Sequence, residues 1–217
     1  MPKSANRRTR LSPDARREQL LEIGARHFAE KPSEDIGIEQ IAESAGVSRG
    51  LIYHYFPTKQ DFHAAIVRYG IEQSLRRTDP EPGLAPIDSL RAGIDHFIEF
   101  VEENEAAFRA VNRGQQSVDE LVCTEIRIGR DVQIERIAGA VTPGRPPSDI
   151  LRLAIEGWIH FNNNVIIEWL DSRSIGRDDL IDLLCGALVG ACRSALAIDA
   201  GDSAVAAAGG TGGILSQ

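Results

Sequence analysis

From Ser12 onward the apolar positions fall three and four residues apart, and no stretch alternates with period two, so the pattern predicts an all-α fold. Ser12-Pro13-Asp14 supplies an N-cap, a proline at the first helical position and an acid at the positive end of the dipole. They open a helix to about Lys31 with an apolar stripe through Leu20, Leu21, Ile23, Gly24, Ala25, His27 and Phe28. Ile38, Ile41, Ala42 and Ala45 then line one face of a short helix, Gly46 follows, Val47 plugs the turn, and Ser48 caps a second helix ending before Pro57. Two short helices joined through a glycine make a helix-turn-helix. Thr58-Lys59-Gln60-Asp61 is a capping-box-like start for a helix to about Arg77.

Asp79-Pro80-Glu81-Pro82-Gly83 cannot continue a helix, and a domain boundary is expected there. Beyond it the periodicity predicts helices at about 86–103, 104–113, 117–141, 148–172 and 176–198. Ser117 with Glu120 is a capping signature, and Pro143-Gly144-Arg145-Pro146-Pro147 is a break. Residues 199–217 are rich in Ala, Gly and Ser, carry five glycines and have little bulk to pack, so a mobile tail is expected. The expected organisation is an arm over 1–11, a helix-turn-helix domain over 12–78, a helical domain over 79–198 and the tail.

Charge divides the chain in the same way. The net charge of −8 alone argues against a nucleic-acid partner, but residues 1–78 hold 13 Lys+Arg against 10 Asp+Glu, a balance of +3, while residues 79–217 hold 11 against 22, a balance of −11. Such asymmetry points to different partners for the two parts, the first one anionic. A length of 217 residues with 42% hydrophobic and 26% charged content describes an ordinary globular protein. Three cysteines far apart give no disulfide framework. In Leu180 to Ile198 only ten uncharged residues separate Asp182 from Arg193, against the ~20 that span a bilayer, so a buried helix and no membrane partner are expected. No apolar segment follows the basic N-terminal residues, and the cytoplasm is the expected compartment.

The second short helix carries the chemistry. At 3.6 residues per turn Leu51 and Tyr55 are expected inward with Ile52 and Phe56 flanking, while Arg49, Gly50 and Tyr53 share the outer side and His54 sits at its edge. Arg49 presents a fork of donors for guanine O6/N7 or a phosphate, Tyr53 reaches a phosphate or a thymine methyl, and Gly50 permits close backbone approach. Lys59 adds a positive charge at the next helix start. Lys3, Arg7, Arg8 and Arg10 form a basic arm suited to a groove or to phosphates.

The run from Ile41 to Lys59, IAESAGVSRGLIYHYFPTK, resembles the DNA-binding segment of TetR-family transcriptional regulators, and the likeness covers about residues 12–70. The resemblance implies a nine-helix dimer in which helices one to three bind DNA, helix four links to a ligand-binding core, and helices eight and nine form a four-helix dimer interface. It also implies that Arg49, Gly50, Tyr53, His54 and Lys59 face DNA; Ser48 and Arg10 complete the candidate contacts. Gly37 departs from the family pattern, which often has Ser or Thr at the start of helix two.

In the 148–172 helix Leu151, Ile155, Trp158, Asn162, Val165 and Trp169 fall on one stripe, so Asn162 interrupts an apolar surface, and a buried amide needs partners. Two readings stand: a polar anchor in a ligand pocket, or a hydrogen-bonded amide in the core or dimer interface. The candidate ligand-binding set is Phe97, Val101, Phe108, Val122, Ile126, Trp158, Phe161 and Asn162, each apolar member being equally at home in plain core. Gly186, Ala187, Gly190 and Ala191 make a small-residue surface suited to a close helix contact. Cys185 and Cys192, seven apart, are read as small hydrophobes rather than a metal or redox pair. No Gly-x-Ser-x-Gly, His-Glu-x-x-His or P-loop pattern occurs, and neither an enzyme nor a cofactor or metal is expected. The expected function is a homodimeric repressor, bound to a partly palindromic double-stranded operator and released by a mostly apolar small molecule. The alternative is an architectural DNA-binding protein without an effector.

Overall fold

The computed structural model describes residues 11–30, 37–113 and 120–209. Among these residues the chain forms nine α-helices and no strand: α1 (Pro13–Glu30), α2 (Ile38–Ala45), α3 (Arg49–Tyr55), α4 (Lys59–Arg77), α5 (Pro86–Glu103), α6 (Glu105–Arg113), α7 (Glu120–Val141), α8 (Asp149–Ser172) and α9 (Arg177–Gly209). The starts follow their caps. Ser12 Oγ accepts from Ala15 N–H at 3.2 Å, and Ser148 Oγ accepts from Leu151 N–H at 3.1 Å while donating to Asp199 Oδ2 at 2.6 Å. At α4 the box is reciprocal, Asp61 N–H donating to Thr58 Oγ1 and Thr58 N–H to Asp61 Oδ2, both at 3.0 Å. The cap expected at Ser117 lies outside the described residues.

One end differs from expectation. α9 continues to Gly209 rather than stopping at Ile198. The added stretch contains no proline and is rich in alanine, the strongest helix former, so the helix propagates through its glycines. The remainder of the expected tail, 210–217, lies outside the described residues.

The chain divides into two compact units, Met1–Ile71 with Asn104–Ile126, and Glu72–Glu103 with Arg127–Gln217. This departs from a single cut at 79–83. The physical reason is α6, which packs on α1 and sets Ala107 against the first unit's core. That core gathers Leu20, Leu21, Ile23 and Phe28 of α1, Ile38, Ile41 and Ala42 of α2, Ile52 and Phe56 around α3, and Phe62, Ala65 and Ile66 of α4. Gly24 lets α1 and α4 close up, since a Cβ there would lie 2.5 Å from Ile66 Cδ1 and 3.3 Å from Phe62 Cζ.

In the second unit α9 packs along α8 and against α5. Leu180, Leu184, Leu188, Cys192 and Ala195 form its buried stripe. By length and composition α9 could cross a membrane, but here that stripe is core. Trp158 Nε1–H donates to Leu184 O at 2.9 Å and Trp169 Nε1–H to Ile175 O at 2.9 Å, tying α8 to α9 and to the turn before it. Arg177 bonds Asp95 Oδ1 at 2.6 Å and Glu102 Oε2 at 2.8 Å. Burial opposes its charge, the two carboxylates outweigh that, and its pKa is raised above the ordinary arginine value. Arg136 donates to Leu75 O at 2.9 Å and pairs with Asp79 at 2.7 Å, closing the C-terminal end of α4.

Candidate nucleic-acid interface

α2 buries Ile38, Ile41 and Ala42 and ends at Gly46, whose φ of 62° and ψ of 37° lie in the left-handed region. Gly46 N–H bonds Glu43 O at 3.0 Å and Val47 N–H bonds Ala42 O at 2.9 Å, so the turn satisfies the carbonyls that α2 leaves open. Nothing lies within 4 Å of a Cβ built there; the sign of φ alone calls for glycine. His27 of α1 meets Ser44 of α2 at 2.8 Å, a tie that no local pattern in the sequence signals. Gly37 caps α2 without a side-chain bond, as its residue type implies.

Ser48 Oγ accepts from Leu51 N–H at 3.2 Å and starts α3. The helix is rotated one step from the expected phase. Ile52 at 0% and Phe56 at 3% exposure are its deepest residues, whereas Leu51 and Tyr55 are half-buried. Phe56 fixes this rotation, because its ring lies 4.7 Å from that of Phe62 and under the Arg17 guanidinium at 5.1 Å. The outward side is unchanged: Ser48, Arg49, Gly50, Tyr53 and His54 are all exposed, and Lys59 is half-buried at the start of α4. The His54 ring stands edge-on to Tyr55 at 5.3 Å. Around Gly50 the nearest neighbour of a built Cβ is Ser48 Oγ at 3.8 Å, so nothing among the described residues requires glycine there. Arg10 lies outside the described residues. Sequence reasoning missed Glu39, whose Oε1 is 2.9 Å from Arg49 Nη1 on this surface. The hint in the sequence was an acid in the first turn of α2.

The candidate ligand residues fall in both units: Phe108, Val122 and Ile126 in the first, Phe97, Val101, Trp158, Phe161 and Asn162 in the second. Val101, Ile126, Trp158 and Asn162 are buried, and Phe97, Phe108 and Val122 are half-buried. On α8 the buried stripe runs Leu151, Ile155, Trp158, Ile159, Asn162, Ile166 and Trp169, with Ile166 taking the place expected for the half-buried Val165. Phe161 is not on it. One residue, about 100° around the helix, separates it from Asn162, and it is 39% exposed on a side shared with Leu153 and Gly157. Asn162 is 3% exposed; its Nδ2 reaches Asn163 Oδ1 at 3.5 Å, and its own Oδ1 has no hydrogen-bond partner among the described residues. Cys185 and Cys192 are buried, which pushes both thiols above their ordinary pKa.

Residues 20–66, from α1 to α4, match the profile of bacterial regulatory proteins of the tetR family, and residues 86–190, from the start of α5 into α9, match a tetracyclin repressor-like C-terminal domain. The chain belongs to the TetR family. Together the matches extend over about seven-tenths of the chain, carrying the family assignment well past the helix-turn-helix. The HTH-type transcriptional activator FasR of Mycolicibacterium smegmatis is 27% identical over 138 residues, 60% of this chain and 61% of that protein, less than two thirds of its length. An HTH-type transcriptional repressor of Mycobacterium tuberculosis is 28% identical over 149 residues, 65% of this chain and 77% of that one. The crystal structure of a tetR-family transcriptional regulator from Streptomyces coelicolor superposes with a TM-score of 0.76 at 25% identity, covering 89% of this chain and 87% of that one. In this TetR-family chain the helix-turn-helix is α2, the Gly46 turn and α3.

Proposed function

We propose that this TetR-family chain is a homodimeric cytoplasmic repressor that a small, mostly apolar molecule with at least one polar group releases from a partly palindromic operator. It works by binding, without catalysis. The outward face of α3 carries this reading. A glycine inside a helix weakens it by ~0.5–1 kcal/mol relative to alanine, and since no neighbour needs Gly50, its use is to admit another molecule's backbone beside Arg49 and Tyr53. One short helix reads only a half-site, so two copies related by a two-fold axis suit the task, with half-sites ~34–36 Å apart or somewhat more.

The dimer is supported by outward stripes on the last two helices. Leu153, Gly157 and Phe161 are exposed on α8, and Leu183, Gly186 and Gly190 on α9. Phe161 therefore moves from the ligand set to the dimer face. The effector is supported by Asn162, a buried carbonyl oxygen awaiting a donor.

Selection of duplexes from a random pool, followed by competition against scrambled DNA, tests the reading. A partly palindromic sequence should emerge and bind far more tightly than its scrambled version, and a panel of hydrophobic small molecules should yield one that weakens that complex. Equal affinity for selected and scrambled duplexes would leave the effector-free architectural protein in its place.

A further inference from the structure

Arg49 and Glu39 form an ion pair across the helix-turn-helix, Nη1 to Oε1 at 2.9 Å, with side chains 61% and 59% exposed. A pair so open to water adds little to folding. It lies on the surface that also presents Gly50 and Tyr53, where a phosphate backbone must come close. A carboxylate on that surface repels every phosphate, whatever the sequence. A protein built only for tight binding would not place one there.

The guanidinium has five N–H donors in a planar fork, and Glu39 occupies one nitrogen. Donors remain for a guanine O6/N7 edge, which needs two parallel bonds. The partners come from different helices, α2 and α3, whose mutual placement is set by the Gly46 turn and the Ser48 cap. Arg49 is thus held from outside its own helix and loses part of its rotamer freedom before DNA arrives. Holding favours a base edge of fixed position over a phosphate, and the negative charge penalises phosphates directly; both effects favour discrimination.

We infer that Glu39 is a positioning residue that holds Arg49 for a guanine edge and disfavours phosphate-only binding, so that it raises specificity at the expense of general affinity. The inference rests on Arg49 facing DNA.

The test compares the duplex recovered by selection with a random duplex of equal length, by fluorescence anisotropy, for the wild type, Glu39→Gln, Glu39→Ala, Arg49→Ala and the double variants. Thermal melts should agree across the set, since both side chains are exposed. Glu39→Gln should tighten random DNA about threefold to tenfold, the size expected from removing one like charge near a phosphate in water. It should tighten the selected duplex less, so that the specificity ratio falls. Glu39→Ala, which also removes the hydrogen-bond acceptor, should lower the ratio further and relax preference at the guanine position. In the Arg49→Ala background the same Glu39 changes should shift both duplexes by one common factor. If the Glu39 variants leave the wild-type ratio unchanged while Arg49→Ala lowers it, Glu39 is only a charge and the inference is overturned, with the DNA-facing reading intact. If Arg49→Ala leaves both affinities unchanged, the DNA-facing reading fails and takes the inference with it.

Discussion

Replacing Asn162 with leucine puts the effector reading at risk through stability, because the amide is buried with an oxygen that no described residue satisfies. Among the described residues the side chain, buried at 3% exposure, has Oδ1 unpaired and one bond, to Asn163, at the 3.5 Å limit. An unpaired buried carbonyl costs ~1–3 kcal/mol, and a bond at that length returns little. Leucine keeps the branching at Cγ and removes that cost, while its two methyls are bulkier than the amide oxygen and nitrogen, an added volume that the buried stripe of α8 must absorb. The ligand-free protein should therefore gain up to ~1–3 kcal/mol, less the cost of the added volume, with a rise of roughly 2–4 °C in Tm for each kcal/mol at this chain size. Differential scanning calorimetry without ligand measures it, and operator titrations with and without the effector complete the assay. The variant should melt higher, bind operator as the wild type does and lose the effector response. A lower Tm together with a monomer mass in ultracentrifugation would show that the partner subunit satisfies the amide, and the anchor reasoning would be refuted.

Four other outcomes are expected. Gly50→Ala meets only Ser48 Oγ at 3.8 Å, an ordinary contact, and gains helix propensity in the first turn of α3, so it should stabilise the fold by up to ~0.5–1 kcal/mol in urea melts while weakening operator binding; a variant that binds as the wild type does would show that DNA never approaches there. Gly190→Leu has nothing within 4 Å of its Cβ in the protomer, so sedimentation at micromolar concentration should show loss of dimer with helix content retained. Lys59→Ala should weaken all duplexes alike and lower the salt slope by about one, and a sequence-dependent loss would contradict a phosphate contact. Burial raises the thiol pKa of Cys185 and Cys192, which leaves less thiolate at a given pH, so iodoacetamide at pH 8 should modify both far more slowly in the native protein than in urea.

What could be read from the sequence was local. The caps at Ser12, Ser48 and Thr58 each act within three residues, and the helices they start were found within a few residues of their expected limits. The burial of Asn162 was also legible, because an apolar stripe on both sides of it determines which way it faces. Contacts between distant segments were not. The packing of α6 on α1 joins residues some eighty positions apart, and no spacing within either helix encodes it. The phase of α3 shifted because seven residues carry too few turns to define a stripe, and the ring of Phe56, beyond the helix end, settled it. Glu39 escaped notice for a related reason, since its bond to Arg49 depends on the angle between two helices.

The shortness of α2 and α3, eight and seven residues, has a consequence for how this reading head can change. Isolated helices below ~12–15 residues are marginal in water, so a peptide spanning only this motif would be coil. The helices exist here because Ile41, Ile52 and Phe56 are fastened into the first unit's core. Address and frame are therefore written in different letters of the same short word. If Arg49, Gly50 and Tyr53 face DNA as proposed, they can be exchanged for new preferences while the inward letters keep the word legible, and the chain can be redirected to another operator without being refolded.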